Sequence, residues 1–108
     1  MELIDRIEIS LMLDDRDYLE FLQDITKCGG VLSHPANNIA KIVADGKFRD
    51  LTPKQRNVYA WYVYKPIKKQ RHCRRCRVKI PWRDMFNSLA SGNLCRKCRD
   101  IRAKYHRN

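Results

Sequence analysis

The sequence lacks the marks of a membrane protein and of an exported protein. No run of 18 apolar residues occurs among its 108 residues, so we expect no membrane span. The N-terminal segment MELIDRIEIS is interrupted by charged residues, unlike a signal peptide. An odd cysteine count of five, without an export signal, argues against a disulfide framework. We therefore expect a cytoplasmic protein in a reducing compartment, with no membrane partner.

Motifs of the common enzyme classes are also missing. The sequence contains no G-x-S-x-G, no phosphate-binding P-loop and no dinucleotide-binding glycine pattern. The aspartates at 14, 15 and 17 are explained more simply by helix capping than by acid–base chemistry. The three histidines are scattered along the chain, at 34, 72 and 106. We predict no catalytic residues and no enzymatic activity.

Acidic residues are nearly absent from the second half of the chain. Residues 1–50 hold six basic and ten acidic side chains, a net charge of −4, whereas residues 51–108 hold seventeen basic and two acidic ones, a net charge of +15. A segment this positive repels itself unless it meets a polyanion or the acidic half. Nucleic acid is the commonest polyphosphate, so the charge distribution predicts DNA or RNA as a partner.

Apolar spacing indicates helices in the first 50 residues. The segment 2–13 fits both a strand and a helical stripe, and we favour a helix there. An aspartate at 14 or 15 can cap a second helix, which runs to about Cys28 and stops at Gly29. A third helix begins near Pro35 and ends near Asp45. Cys28 itself is expected to be a buried apolar residue.

The next helix has the clearest start signal. Thr52 reads as its N-cap, Pro53 as its first residue and Gln55 as the partner in a capping box. We predict that it ends near residue 64 or 65, because Pro66 cannot continue it. One stripe of this helix carries Val58, Tyr59, Tyr62 and Val63, and the other side carries Trp61 and Tyr64. Both sides could be buried, or the second could be an aromatic contact surface.

Composition divides the chain into three parts. We predict a helical domain over residues 1–65, a basic linker over 66–71 and a four-cysteine module over 72–108. The linker reads either as a solvated connector or as a strap that contacts phosphate.

Four of the five cysteines form two Cys-x-x-Cys pairs. Cys73 and Cys76 make the first pair, and Cys95 and Cys98 follow after 18 residues. Two residues between ligands let a tight turn aim both sulfurs at one point, and the gap lets the second pair return to the first. Four thiolates suit one tetrahedral Zn²⁺, and a site closed by four protein ligands is structural. An iron–sulfur cluster and a redox dithiol are the weaker alternatives, and His72 is a redundant fifth ligand.

Basic residues surround these cysteines. Some of them balance the −2 charge of a zinc–tetrathiolate centre, yet their surplus is larger than that charge. Residues from Cys95 to Tyr105 should be helical and present arginines to the outside. We predict that eight basic residues contact nucleic-acid phosphates, namely Arg74, Arg75, Arg77, Lys79, Arg96, Arg99, Arg102 and Arg107.

The cysteine spacing resembles that of known zinc fingers. C-x2-C-x18-C-x2-C is similar to the pattern of GATA-type fingers, and Cys-Arg-Val-Lys-Ile followed by Leu-Cys-Arg-Lys-Cys resembles the finger of the DksA/TraR transcription factors. The resemblance covers residues 72–107 and implies a treble clef with a short β-hairpin and a C-terminal helix. GATA-type fingers usually carry glycine where this sequence has Arg77 and Arg99. The end of an HNH nuclease is also similar, but no histidine lies between 73 and 105 to act as its base.

These observations predict a mainly α fold. A small N-terminal part of three to four helices is followed by a treble-clef four-cysteine zinc module with a short β-hairpin and a C-terminal helix. The favoured function is a nucleic-acid-binding regulator of transcription or nucleic-acid metabolism. The alternative is an adaptor or inhibitor, of phage or mobile-element type, that binds a protein such as RNA polymerase or a nuclease. Docking of residues 1–50 on the finger would moderate either function.

Overall fold

The computed structural model describes residues 3–105, and side chains from residue 5 onward. This part of the chain is mainly helical, as predicted, with six helices and no β-strand. They are α1 (Leu3–Leu13), α2 (Arg16–Cys28), α3 (His34–Ala44), α4 (Pro53–Tyr59, Ala60–Tyr64 and Lys65–Lys69 in direct succession), α5 (Trp82–Ala90) and α6 (Arg96–Tyr105). None of these helices combines the length and apolar character that crossing a membrane requires.

Local hydrogen bonds cap α2 and α4 where the sequence predicts that these helices begin. The Asp15 carboxylate accepts the N–H of Asp17 at 2.9 Å and caps α2, which ends at Gly29 with a φ of 68°. At the start of α4, the Thr52 N–H donates to the Gln55 side chain at 2.9 Å, and the Gln55 N–H donates back to the Thr52 hydroxyl at 3.2 Å. The capping box is therefore confirmed, and it fixes where α4 begins.

Helix α2 lies at the centre of the fold and packs against α1, α3 and α5. Its buried face includes Tyr18, Phe21, Leu22 and Ile25. The Tyr18 hydroxyl hydrogen-bonds the Tyr59 hydroxyl, which joins α2 to α4. Burial raises the pKa of both phenols, so both remain neutral at physiological pH.

The core continues from these helices to the cysteines without a break. Trp82, at the start of α5, contacts Tyr18 edge-on with ring centroids 4.7 Å apart and Phe21 with centroids 5.6 Å apart. Ile80 and Met85 are fully buried beside it. Trp82 therefore joins α2 to the segment between the two cysteine pairs.

Two predictions about α4 are wrong. The helix does not end before Pro66 but continues through Lys65–Lys69, so most of the predicted linker is helical. A π-helical segment precedes the proline, and the Lys65 N–H donates to the carbonyl of Ala60, five residues back. This wider turn leaves room for the Pro66 ring, which would collide with the carbonyl four residues earlier in a regular α-helix. The division of the chain into three parts stays a prediction.

The expectation that both sides of α4 are buried is also wrong, because Tyr62 from the first side and Trp61 from the second are exposed. Tyr62 is 62% exposed, whereas Tyr64 is fully buried and donates its hydroxyl proton to the Glu8 carboxylate. The observed buried face consists of Tyr59, Ala60, Val63, Tyr64 and Ile67. Packing against α3, with the side-chain contacts to Tyr18 of α2 and Glu8 of α1, therefore selects the face, because both sides of this helix are apolar enough to be buried.

The predicted β-hairpin does not form in the described part of the chain. Only one isolated antiparallel bridge, between His72 and Lys79, joins the two sides of the first cysteine turn. Residues after Pro81 form α5 instead, because Trp82 and Met85 gain burial against α2 as one face of a helix.

Acidic side chains of α1 pair with lysines of α4. Lys68 Nζ lies 2.7 Å from the Glu8 carboxylate, and Lys65 Nζ lies 3.9 Å from Asp5. Within residues 5–105, no such pair joins the acidic half to the cysteine module. The basic charge of that module is therefore not neutralised by carboxylates from the described residues of 1–50.

Candidate metal centre

The first cysteine pair lies in a tight turn that backbone hydrogen bonds close. The Cys73 N–H donates to the carbonyl of Val78 at 2.8 Å, and the Arg77 N–H donates to the carbonyl of Cys73 at 2.9 Å. Arg77 has a φ of 67°, in the left-handed region, which reverses the chain after the second cysteine. The turn points both sulfurs of the pair toward the start of α6.

The second pair is placed by the start of α6. Cys95 immediately precedes the helix, and Cys98 lies in its first turn. The preceding turn contacts the first pair directly, because the Arg74 N–H donates to the carbonyl of Asn93 at 2.9 Å and the Asn93 side-chain Nδ2 donates to the carbonyl of His72 at 3.2 Å. These bonds hold the two cysteine turns side by side.

The four sulfurs of Cys73, Cys76, Cys95 and Cys98 lie within 4.8 Å of one another. The sulfurs of Cys76 and Cys95 are 3.6 Å apart, too far for a disulfide of about 2.05 Å. A tetrahedral zinc with Zn–S bonds of about 2.3 Å requires sulfurs about 3.8 Å apart. The predicted clustering is thus confirmed, and its dimensions suit a metal ion held by four thiolates.

The pKa values of two of the clustered thiols are shifted in opposite directions. Burial raises the pKa of the Cys73 thiol, but hydrogen bonds from backbone N–H groups outweigh it and lower the pKa to about 6. Burial and the neighbouring sulfurs, including the charge on Cys73, raise the pKa of Cys98 to about 12. Without a cation, Cys98 therefore stays protonated at neutral pH, whereas a divalent cation at the cluster would favour its thiolate.

No family model, curated protein or solved structure matches this chain. The likeness to GATA-type and DksA/TraR fingers therefore rests on the four cysteines and their neighbours. The structure departs from the treble clef in the segment between the pairs, where α5 takes the place of the hairpin.

Most of the basic residues predicted to contact nucleic acid are on the surface around the cysteines. Arg99 is half-buried, and Arg107 lies outside the described residues. No carboxylate within residues 5–105 lies within 4.0 Å of the charged groups of these side chains. The exposed members are Arg74, Arg75, Arg77, Lys79, Arg96 and Arg102.

Arg71 has a structural role that was not predicted, because the sequence analysis placed it in a linker. Its Nε and Nη2 donate to the carbonyl of Ile80 at 3.1 and 2.8 Å, and its guanidinium lies 3.8 Å from the centroid of the Trp82 ring. Burial lowers the pKa of Arg71, and the negative charge of Asp15 opposes that shift. Arg71 therefore connects the segment before the first cysteine turn to the start of α5.

Cys28 and His72 lie outside the candidate metal centre. Cys28, predicted to be buried, is exposed at the end of α2 and lies outside the sulfur cluster, because the Gly29 turn leaves it at the surface. His72 is exposed and is not among the clustered ligands. Asn93, whose contacts with the first cysteine turn the sequence analysis missed, adopts a φ of 65°.

Proposed function

We propose that the four cysteines hold one structural Zn²⁺ and that the resulting basic module binds nucleic acid. The observation that carries the second part is the exposed, unneutralised basic surface beside the cysteine cluster. Six of its side chains extend from the two ligand turns and from α6, the same elements that the cysteines position.

Zinc is the metal favoured by the donor set. Thiolates are soft ligands, and four of them in a small tetrahedron suit Zn²⁺ or an iron–sulfur cluster. The spread of the sulfurs, within 4.8 Å of one another, fits a single ion. No position remains for a reactive water, so the ion would organise the module and take no part in catalysis.

Electrostatics supports the nucleic-acid partner. A zinc–tetrathiolate centre carries −2, which the basic residues around it exceed. Exposed guanidinium groups bind phosphate through paired N–H donors, and their surplus charge attracts a polyanion over long range. The exposed basic side chains of the module would therefore contact the phosphates of a bound nucleic acid.

The salt dependence of binding tests this proposal. Affinity for a labelled duplex should fall with salt, with a slope of about −0.9 per contacted phosphate in a plot of log K against log salt. The double variant Arg75→Gln/Arg96→Gln should reduce the size of that slope by about 2. The matched control is Arg16→Gln/Lys41→Gln, which removes two exposed charges from α2 and α3. It should leave the slope almost unchanged.

Two outcomes would contradict the nucleic-acid proposal. One is an affinity that does not change between low and moderate salt for both duplex and single strand. The other is an equal loss of slope in both double variants, which would indicate a contribution from overall charge only. Neither outcome bears on the metal, whose content is measured separately.

A second candidate function is an adaptor or inhibitor that binds a protein. It is favoured by the row of exposed carboxylates at the start of α2, opposite in sign to the cysteine module. Such a molecule could hold both an acidic and a basic patch of a protein such as RNA polymerase or a nuclease. Recovery of one protein at equal stoichiometry after nuclease treatment would favour this function, and nucleic-acid-dependent recovery would favour the first.

A further inference from the structure

A cavity of about 930 Å³ lies among α1, α3 and the start of α4, remote in sequence from the cysteines. Its apolar wall comes from Ile9, Leu13, Leu19, Val43 and Phe48. Small-molecule sites are commonly clefts of about 300–1,000 Å³ with apolar walls and a few polar groups. The cavity has both the size and the lining that such a site requires.

Three arginines line the same cavity. They are Arg6 from α1, Arg49 from the turn before α4 and Arg56 from α4, and one carboxylate, Asp14, lines it with them. Neither Arg49 nor Arg56 has a carboxylate within 4.0 Å among residues 5–105. Three guanidinium groups thus share one concave surface, two of them from the otherwise acidic residues 1–50 and the third from α4.

Arg56 is held in place at the wall. Its Nη2 donates to the carbonyl of Arg49 at 3.1 Å, and its guanidinium lies 5.3 Å from the centroid of the Phe48 ring. Its Nε is buried and has no hydrogen-bond partner in the structure. A buried donor without a partner is costly, so a ligand acceptor that reached Nε would be stabilising.

We propose that this cavity binds a phosphomonoester with an aromatic body, the chemical class that includes nucleoside monophosphates. The lining carries three positive charges against one negative charge, a surplus that matches the dianion of a phosphomonoester better than a monoanionic carboxylate. The arginines supply planar pairs of N–H donors for its oxygens. The apolar wall and the Phe48 ring cover the aromatic body.

The probe for this site is 1-naphthyl phosphate, with calorimetric titration of the full chain. We expect saturable binding at one site per chain. Three analogues separate the contributions: inorganic phosphate lacks the aromatic body, 1-naphthol lacks the charge and 1-naphthoate carries a single charge. Each should bind at least about tenfold more weakly than 1-naphthyl phosphate, because each lacks one of the two complementary features.

Variants locate the site. Arg49→Gln and Arg6→Gln change exposed side chains, and each should weaken 1-naphthyl phosphate binding roughly tenfold without changing the thermal midpoint. Arg16→Gln is the matched control, since this arginine is exposed on α2 and does not line the cavity. Absence of binding, equal binding of 1-naphthol, or equal losses in all three variants would each overturn the proposal.

Discussion

Replacing Arg77 by glycine should stabilise the cysteine module even though it removes a predicted nucleic-acid contact. Arg77 holds a φ of 67°, and a left-handed backbone costs a residue with a Cβ atom about 1–2 kcal/mol. Glycine avoids this cost, but it gives the unfolded chain more conformational freedom, which lowers the stability of the folded protein by about 0.5–1 kcal/mol. The net expectation is a protein more stable by about 0.5–1 kcal/mol. The hydrogen bond from the residue 77 N–H to the Cys73 carbonyl uses only backbone atoms and is retained.

Thermal unfolding of the zinc-loaded protein measures this effect. A gain of that size raises the midpoint by about 3–6 °C in a domain of this length. Arg77→Ala removes the same charge but keeps a Cβ atom, so it should bring no comparable gain. Arg75→Gly removes the same side chain where φ is not positive and should lower the midpoint. The reasoning is refuted if Arg77→Gly is no more stable than Arg77→Ala.

Three further perturbations address the helical part. Tyr18 and Tyr59 have raised pKa values, so their contribution to stability is complete below the unfolded pKa of about 10 and is lost progressively as the pH rises from there toward the higher folded pKa values. Urea midpoints should therefore fall as the pH rises above about 10, and less steeply in Tyr18→Phe/Tyr59→Phe; equal slopes would exclude these phenols as the cause. Thr52→Ala should cost about 1 kcal/mol in urea unfolding, whereas Thr52→Ser should cost less; equal losses would deny the capping role. Trp82→Ala should cost about 3–5 kcal/mol, and a loss below 1 kcal/mol would show that the contact with α2 is dispensable.

Local chemistry explains which fold predictions are confirmed. The capping box at Thr52 and the left-handed stop at Gly29 are decided by atoms within four residues, so the sequence is sufficient to place those helix ends. The four sulfurs likewise follow from two short spacings whose ligand chemistry is specific. In both cases, few other structures are compatible with the hydrogen-bonding or metal-ligand chemistry of the residues involved.

Tertiary contacts explain the errors. Trp82, Met85, Phe86 and Leu89 recur at the spacing of a helix face, a signal for α5 that was outweighed by the resemblance to a hairpin-containing finger. The burial of this face against α2 cannot be read from residues 72–98 alone. Pro66 is accommodated by a π-helical turn, and a proline by itself does not reveal such a turn.

Native mass spectrometry of the reduced, zinc-loaded protein tests most directly whether the four cysteines hold one ion. We predict one zinc per chain, retained in Cys28→Ser because that thiol lies outside the cluster, and lost or strongly reduced in Cys95→Ser. A reduced, zinc-supplied wild-type chain that is metal-free yet fully folded would contradict the account, as would full zinc retention in Cys95→Ser.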